Sequence, residues 1–323
     1  MRMLALFLCL ISWMGPAAAA PARVIVIAME NKDALARGFS GRNYIYGNMR
    51  DAPYINGVLA GQGSRATRFT DELSKDWSLP HYILMEAGRT VFDDAHFTCD
   101  NDPGQSCELL SGRPNWTRNR EHLTAQIEAA RHPVLSWMTY QEGIDPATTG
   151  ACPVRSAGRY AAKHNPFVYF ADVAGAPPDP GNAHCIAHTR NFGRFLKDMH
   201  AGSLASYVFI TPDLCHDMHG GDGCPKNEVA AGDAFLKSFL PEVISWAREN
   251  RTVVFVVWDE GSAGTTIPFY AAGFGIKVNH ESKVPASHRA LLKTIERIFG
   301  LPVLDAVRDA PDLADMFEPG VLP

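Results

Sequence analysis

The sequence predicts an α/β fold with a mostly parallel central sheet flanked by helices. Two observations carry that expectation. Short, nearly continuous apolar runs, the pattern of strands buried on both faces, recur at residues 24–28, 167–170, 207–210 and 252–257. Segments with helical periodicity lie between or after them, at 123–130, 190–200, 233–249 and 287–299, the last stopped by Gly300 and Pro302. In such folds ligands bind beyond the carboxyl ends of the strands. The four runs end there on Glu30 and Asn31, on Asp172, on Thr211, Pro212 and Asp213, and on Asp259 and Glu260.

The chain has 323 residues, 46% of them hydrophobic and 20% charged, enough to bury a large core. Its formal charge of −5, without any basic run, argues against nucleic acid as a partner. Residues 1–20 differ from the rest: Arg2, an apolar stretch at 4–14, then Gly15, Pro16 and alanines to Ala20 form the pattern of a secretory signal peptide cleaved near Ala20. No later segment approaches the roughly 20 apolar residues of a membrane helix, so no stable membrane insertion is expected. The mature chain is expected to be secreted or periplasmic, with residues 21–323 as one domain. Six cysteines remain after the leader, and an even count in an exported chain favours disulfides. Of the 15 connectivities that six cysteines allow, sequence order favours Cys99 with Cys107, Cys152 with Cys185 and Cys215 with Cys224, the first pinning a loop insertion at about 93–120. The oligomeric state has no signature in the sequence.

There is no Gly-x-Ser-x-Gly elbow, phosphate loop, dinucleotide fingerprint or His-Glu-x-x-His helix. What remains is oxygen-rich. Glu30 with Asn31 and Asp259 with Glu260 are adjacent pairs directly after strand candidates. Side by side, they form a hard donor set for a divalent metal ion, since clustered carboxylates repel unless a cation neutralises them. Charges at strand ends are also common on solvated surfaces. Ser78 opens a helix-compatible stretch that stops at Gly88, with Pro80 tolerated in its first turn, and a serine there is expected to act as N-cap. The same position suits a nucleophile, because a helix N-terminus holds phosphate oxygens and stabilises an alkoxide. Histidines gather at Lys163-His164-Asn165-Pro166 and at Asp213-Leu214-Cys215-His216-Asp217-Met218-His219, beside a glycine-rich loop that Cys224 is placed to staple.

Six motifs occur in order: Met-Glu-Asn at 29–31, Ser-Leu-Pro-x-Tyr at 78–82, Lys-His-Asn-Pro at 163–166, Pro-Asp-Leu-Cys-His-Asp-Met-His at 212–219, Trp-Asp-Glu at 258–260 and Leu-Lys-Thr-Ile-Glu at 292–296. Together they resemble the phosphoesterase family of bacterial phospholipases C and acid phosphatases, in the alkaline-phosphatase-like superfamily. The resemblance implies a metal held by Glu30, Asn31, Ser78, Asp259 and Glu260, with Ser78 also the nucleophile. It implies phosphoryl contacts from His164 and His219, with Asn165, His216, Asp217 and His288 as further substrate-binding positions. Asp76 and Trp77 precede Ser78 where the family often has His-Pro, and His81 stands where it usually has Asn. The expected function is metal-dependent hydrolysis of a small phosphate ester, of the acid-phosphatase type. The alternatives are a phospholipase C, although no basic amphipathic helix offers an interfacial surface, and a catalytically silent binding protein.

Overall fold

A computed structural model of the chain describes residues 20–36, 43–73, 77–106, 113–262 and 265–322. The expected leader and the Cys99–Cys107 pairing fall on or depend on residues outside these. Eight strands form one sheet: β1 (Arg23–Met29), β2 (Ser64–Ala66), β3 (Trp137–Gln141), β4 (Thr189–Asn191), β5 (Tyr207–Thr211), β6 (Thr252–Trp258), β7 (Phe269–Gly273) and β8 (His280–Ser282). Their order is β4-β3-β5-β1-β6-β7-β2-β8. The five strands from β4 to β6 are parallel, whereas β7 runs antiparallel to β6 and β2 antiparallel to β7.

β1, β5 and β6 are the apolar runs at 24–28, 207–210 and 252–257, and they sit at the centre because their Val, Ile and Phe side chains are buried on both faces. The run at 167–170 is not a strand. It forms a 3-10 turn, Pro166–Tyr169, because Pro166 presets a helical φ at its first position and a four-residue apolar run carries no periodicity to separate the two states. Phe167 packs there on Trp137 and Phe209.

The helix expected at 190–200 is also divided. β4 ends at Asn191, whose side chain accepts from Gly193 N and starts a 3-10 turn, and only Phe195–His200 is α-helical. The helix expected at 233–249 begins earlier, as Glu228–Glu249, where Asn227 caps Ala230 N. Gly232 inside it is a close-approach position: a Cβ would meet Met218 Cγ at 2.4 Å, so glycine lets this helix press against the 213–219 loop. The other two expected helices are Leu123–Ala129 and His288–Phe299. The disulfides Cys152–Cys185 and Cys215–Cys224 are present as sequence order suggested. Among the described residues, no helix is long and apolar enough to cross a membrane.

Helix Ser78–Ala87 is buried along its whole length. At its far end Glu86 accepts from Thr124 N (2.8 Å) and meets His122 Nδ1 (2.9 Å), while His122 Nε2 faces Asp172 at 3.2 Å. Burial opposes charge on His122, but the hydrogen bonds to Asp172 and Glu86 outweigh it and raise its pKa to about 9. The pair also holds Asp172 below its ordinary value: burial works against that shift and the His122 hydrogen bond drives it. A histidine raised in the folded state stabilises fully below its unfolded pKa near 6.5 and loses that contribution as pH rises through about 9. Asp172 adds stability present above the usual carboxylate range and lost on acidification. His122 should therefore make the urea midpoint decline between about pH 6.5 and 9 by an amount worth about 3 kcal/mol, beside the contribution of other raised groups such as His81, and His122→Gln should make that decline shallower. An unchanged slope in the variant would show that the clamp does not link pH to stability.

Candidate active site

The register of the central strands brings the two acidic pairs together. Met29 lies opposite Trp258, and Asp259 N donates to Met29 O at 2.9 Å, so Glu30 and Asp259 leave adjacent parallel strands at the same level. Asn31 adopts the left-handed region (φ 40°), which Asn tolerates, and its amide N donates to Asp259 Oδ1 (3.0 Å) while Nδ2 donates to Glu260 Oε1 (2.7 Å). Its Oδ1 and Asp259 Oδ2 are buried without a hydrogen-bond partner.

Ser78 is not the N-cap of its helix. Trp77 occupies that position without a side-chain cap, and Asp100 reaches in to accept from Leu79 N at 3.0 Å. A residue from a distant loop thus takes over the capping function, which frees the Ser78 hydroxyl to point at the acidic pairs. Its Oγ lies 3.3 Å from Glu30 Oε2, 3.3 Å from Glu260 Oε1 and 3.3 Å from Lys163 Nζ. Lys163 also donates to Asp100 (2.8 Å) and to His219 Nε2 (3.3 Å). His219 Nδ1 meets Gly220 O at 3.1 Å, so its neutral ring carries the proton on Nδ1 and accepts from Lys163 on Nε2.

His164 is buried between carboxylates, with Nε2 3.2 Å from Glu30 Oε1 and Nδ1 3.2 Å from Asp217 Oδ2, although Nε2 and Oδ2 lack hydrogen-bond alignment. Its ring stacks on Tyr82 (centroids 5.2 Å apart), whose hydroxyl donates to Glu30. Asp217 is fully buried: its carbonyl accepts from Glu30 N (2.8 Å) and its carboxylate from His219 N (2.7 Å), which moors the histidine loop to β1.

Three expected substrate contacts have other surroundings. His216 pairs with Glu142 and stacks on Phe235. Asn165 donates to the Tyr160 hydroxyl. His288 is buried with Nε2 against Asp259 O at 2.6 Å, supporting the backbone of an acidic residue from below.

The electrostatics are those of crowded, dehydrated acids. Burial, then the charges of Asp259 and Asp217, push Glu30 well above the carboxylate range. Asp217 is pushed up by burial too, and Glu260 rises to about 8 through burial and the neighbouring Asp259. Burial and Lys163 hold His164 well below its usual value and lower His219. Lys163 stays charged, since Glu30 and Asp100 outweigh the burial that opposes its charge. His81, hydrogen-bonded to Asp71 at 2.9 Å and facing Asp259 and Glu260, is likewise raised, to about 9, against the pull of its burial.

Lys163, Asp100, Tyr82 and His81 were not among the expected site residues. Tyr82 had a local signal, since it lies one helical turn after Ser78 and so on the same face. Lys163 stood within a quoted motif. Asp100 had none, because only the tertiary fold brings it to Leu79.

The single, mostly parallel α/β sheet flanked by helices is an alkaline-phosphatase-like fold. The chain belongs to the phosphoesterase family, whose model matches residues 75–302. A phosphatidylinositol-3-phosphatase of Mycobacterium tuberculosis is 29% identical over 321 residues, 95% of this chain and 90% of its own length. An acid phosphatase of Aspergillus niger is 25% identical over 179 residues, 53% of this chain and 40% of the relative. Among solved structures, the phosphonate monoester hydrolase of Silicibacter pomeroyi shares the fold with a TM-score of 0.53 at 12% identity, covering 92% of this chain and 76% of that one. Murine ectonucleotide pyrophosphatase/phosphodiesterase 5, in an inactive form complexed with AMP, gives 0.55 at 9% identity, covering 92% and 100%. The chain is a phosphoric ester hydrolase.

Replacing Asp100 by Ala removes the acceptor for Leu79 N and a partner of Lys163. Urea denaturation should register a loss of about 1 kcal/mol, the usual cost of a lost helix cap. A variant as stable as wild type would show that water caps the helix equally well.

Proposed function

We propose that this protein is an exported, divalent-metal-dependent phosphomonoesterase with Ser78 as nucleophile. One observation carries the reading: a serine hydroxyl at a helix start, 3.3 Å from two acidic side chains and 3.3 Å from a lysine ammonium. The donor set fits a hard cation. Glu30, Asn31, Ser78, Asp259 and Glu260 converge, and two of their oxygens, Asn31 Oδ1 and Asp259 Oδ2, are buried without any partner. A bound divalent ion supplies positive charge that favours ionised oxygen and screens phosphoryl oxygens.

The rest follows from the chain's own groups. Lys163 donates toward Oγ and, with the partial positive charge of the helix start, favours the serine alkoxide. As the Oγ–P bond forms, the bond from phosphorus to the leaving oxygen breaks, and that oxygen takes up a proton to depart as an alcohol. Water then attacks phosphorus, and Oγ leaves and recovers its proton. In this reading His219 contacts the phosphoryl group, its Nε2 exchanging the Lys163 ammonium for a phosphoryl oxygen once that nitrogen carries a proton. His164 acts through others: sandwiched between Glu30 and Asp217 and stacked on Tyr82, it positions Glu30. Neighbouring Asn165, with His216, Asp217 and His288, supports the surrounding backbone and loops in this reading.

Phosphatase names among the relatives favour monoesters over the phospholipase C reaction, and the relative matched over nearly its whole length makes an inositol-lipid phosphomonoester a substrate to test beside soluble ones. Retention of Ser78 among the acidic pairs speaks against a silent binding protein. The disulfides support export, and the reading includes a leader cleaved near Ala20 and residues 21–323 as one domain carrying the 93–120 loop.

Because Asp100 supplies the cap, Ser78→Ala should change stability by well under 1 kcal/mol while lowering p-nitrophenyl phosphate turnover by orders of magnitude. Acid quench during wild-type turnover should trap a phosphoryl adduct on the peptide holding Ser78. An active Ser78→Ala enzyme would exclude the covalent route. Chelator should abolish turnover, divalent cations should restore it, and Asp259→Asn should lower the metal content. Full activity of the chelated protein would remove the metal from the mechanism.

A further inference from the structure

A second cluster of ligands lies apart from these residues. Glu128, in helix Leu123–Ala129, faces His184 and His188, one turn apart on helix Ala183–His188. His184 Nε2 is 2.8 Å and His188 Nε2 is 3.9 Å from Glu128 Oε1, and one donor atom from each residue falls within a 4.8 Å sphere of the others. All three side chains are between a quarter and a third exposed, open to an incoming ion but not free to swing.

Each ligand is oriented from behind. His184 Nδ1 meets Asp172 O at 2.9 Å and His188 Nδ1 meets His184 O at 2.9 Å, so both rings carry a proton on Nδ1 and direct Nε2 toward the carboxylate. Trp137 Nε1 donates to Glu128 Oε1 at 2.7 Å, and its indole stacks on the His188 ring with centroids 4.4 Å apart. Cys185, between the two histidines, is bonded to Cys152, which fixes the helix that presents them. With Nδ1 engaged by carbonyls, two imidazole lone pairs face one carboxylate. Acceptors at such separations are bridged by a proton or by a metal ion, and imidazole acceptors locked by carbonyls are the arrangement that surrounds bound transition metals.

We propose that Glu128, His184 and His188 form a binding site for a divalent transition-metal ion, Zn²⁺ by preference, that latches helix Leu123–Ala129 to helix Ala183–His188. Two nitrogens and one oxygen suit a borderline cation over Mg²⁺ or Ca²⁺, which favour oxygen alone. Zinc bonds to nitrogen are about 2.0–2.1 Å long, so ligand atoms spread over the present separations need only side-chain adjustments to close on an ion. The site shares no residue with the Ser78 cluster. It reaches that cluster's scaffold through Asp172, whose carbonyl orients His184 and whose carboxylate pairs with His122.

The test counts zinc on chelator-stripped, refilled protein in which Asp259→Asn has already weakened the main site, so the outcome does not depend on how that site is read. Equilibrium dialysis with Zn²⁺ should find one ion fewer per chain when His188→Ala is added, or an affinity for that ion at least about tenfold lower. Zn²⁺ should also raise the melting temperature of the Asp259→Asn protein and not that of the double variant. Glu128→Gln, which keeps an oxygen for Trp137 Nε1, should give the same loss and replaces His188→Ala if the latter misfolds. Equal zinc stoichiometry and affinity with and without these substitutions would overturn the proposal.

Discussion

Everything at the Ser78 cluster depends on one strand pairing. β1 and β6 run parallel in a register that places Met29 beside Trp258, and the hydrogen bond from Asp259 N to Met29 O extends that register one residue past the strands. Carboxylates that lie far apart and hydrated in the unfolded chain are thereby fixed next to each other and out of water. The apolar side chains of β1, β5 and β6 supply the free energy that holds them there, since burial of such residues stabilises by roughly 1.5–3 kcal/mol each.

Around that constraint the protein arranges compensating groups instead of relaxing it. Lys163, His81 and backbone or side-chain N–H donors face the acids, and the Asn31 amide is turned into a left-handed conformation so that both its nitrogens meet Asp259 and Glu260. Histidines divide into two kinds. His122 and His81 are raised by hydrogen bonds to carboxylates that outweigh their burial, whereas His164 and His288 are held low by burial and by a neighbouring cationic group, Lys163 beside the first and His81 beside the second. The residue type alone does not separate these roles; the partners do.

The fold was legible where the chain declares itself locally. Central strands were visible as β-branched runs, and the helices at 123–130 and 287–299 were readable to within a residue, whereas the long helix starts five residues before 233 and the one expected at 190–200 only at Phe195. Short elements were not: 167–170 reads as strand until Pro166 is weighed, and β7, rich in alanine, and β2 and β8, three residues each, carry no pattern. The acidic pairs and Ser78 could be named from sequence because each follows an element boundary. What the sequence could not supply was the company these residues keep. Asp100 lies 21 residues from Leu79, and His216 lies within a histidine-rich motif yet turns to Glu142, because the disulfide-closed loop and the packing of Phe235 decide its direction.

Capping from a distance has a consequence for how this enzyme changes over time. Because the acceptor for Leu79 N lies on a segment outside the sheet, the first turn of the helix and the ammonium of Lys163 answer to a loop that the core holds through only a few side chains, Ala95 and Phe97 among them. Insertions and substitutions accumulate most readily in such segments. The charge around a deeply buried serine is therefore open to adjustment from the periphery, so that related chains with identical centres can differ in that charge by remodelling one loop.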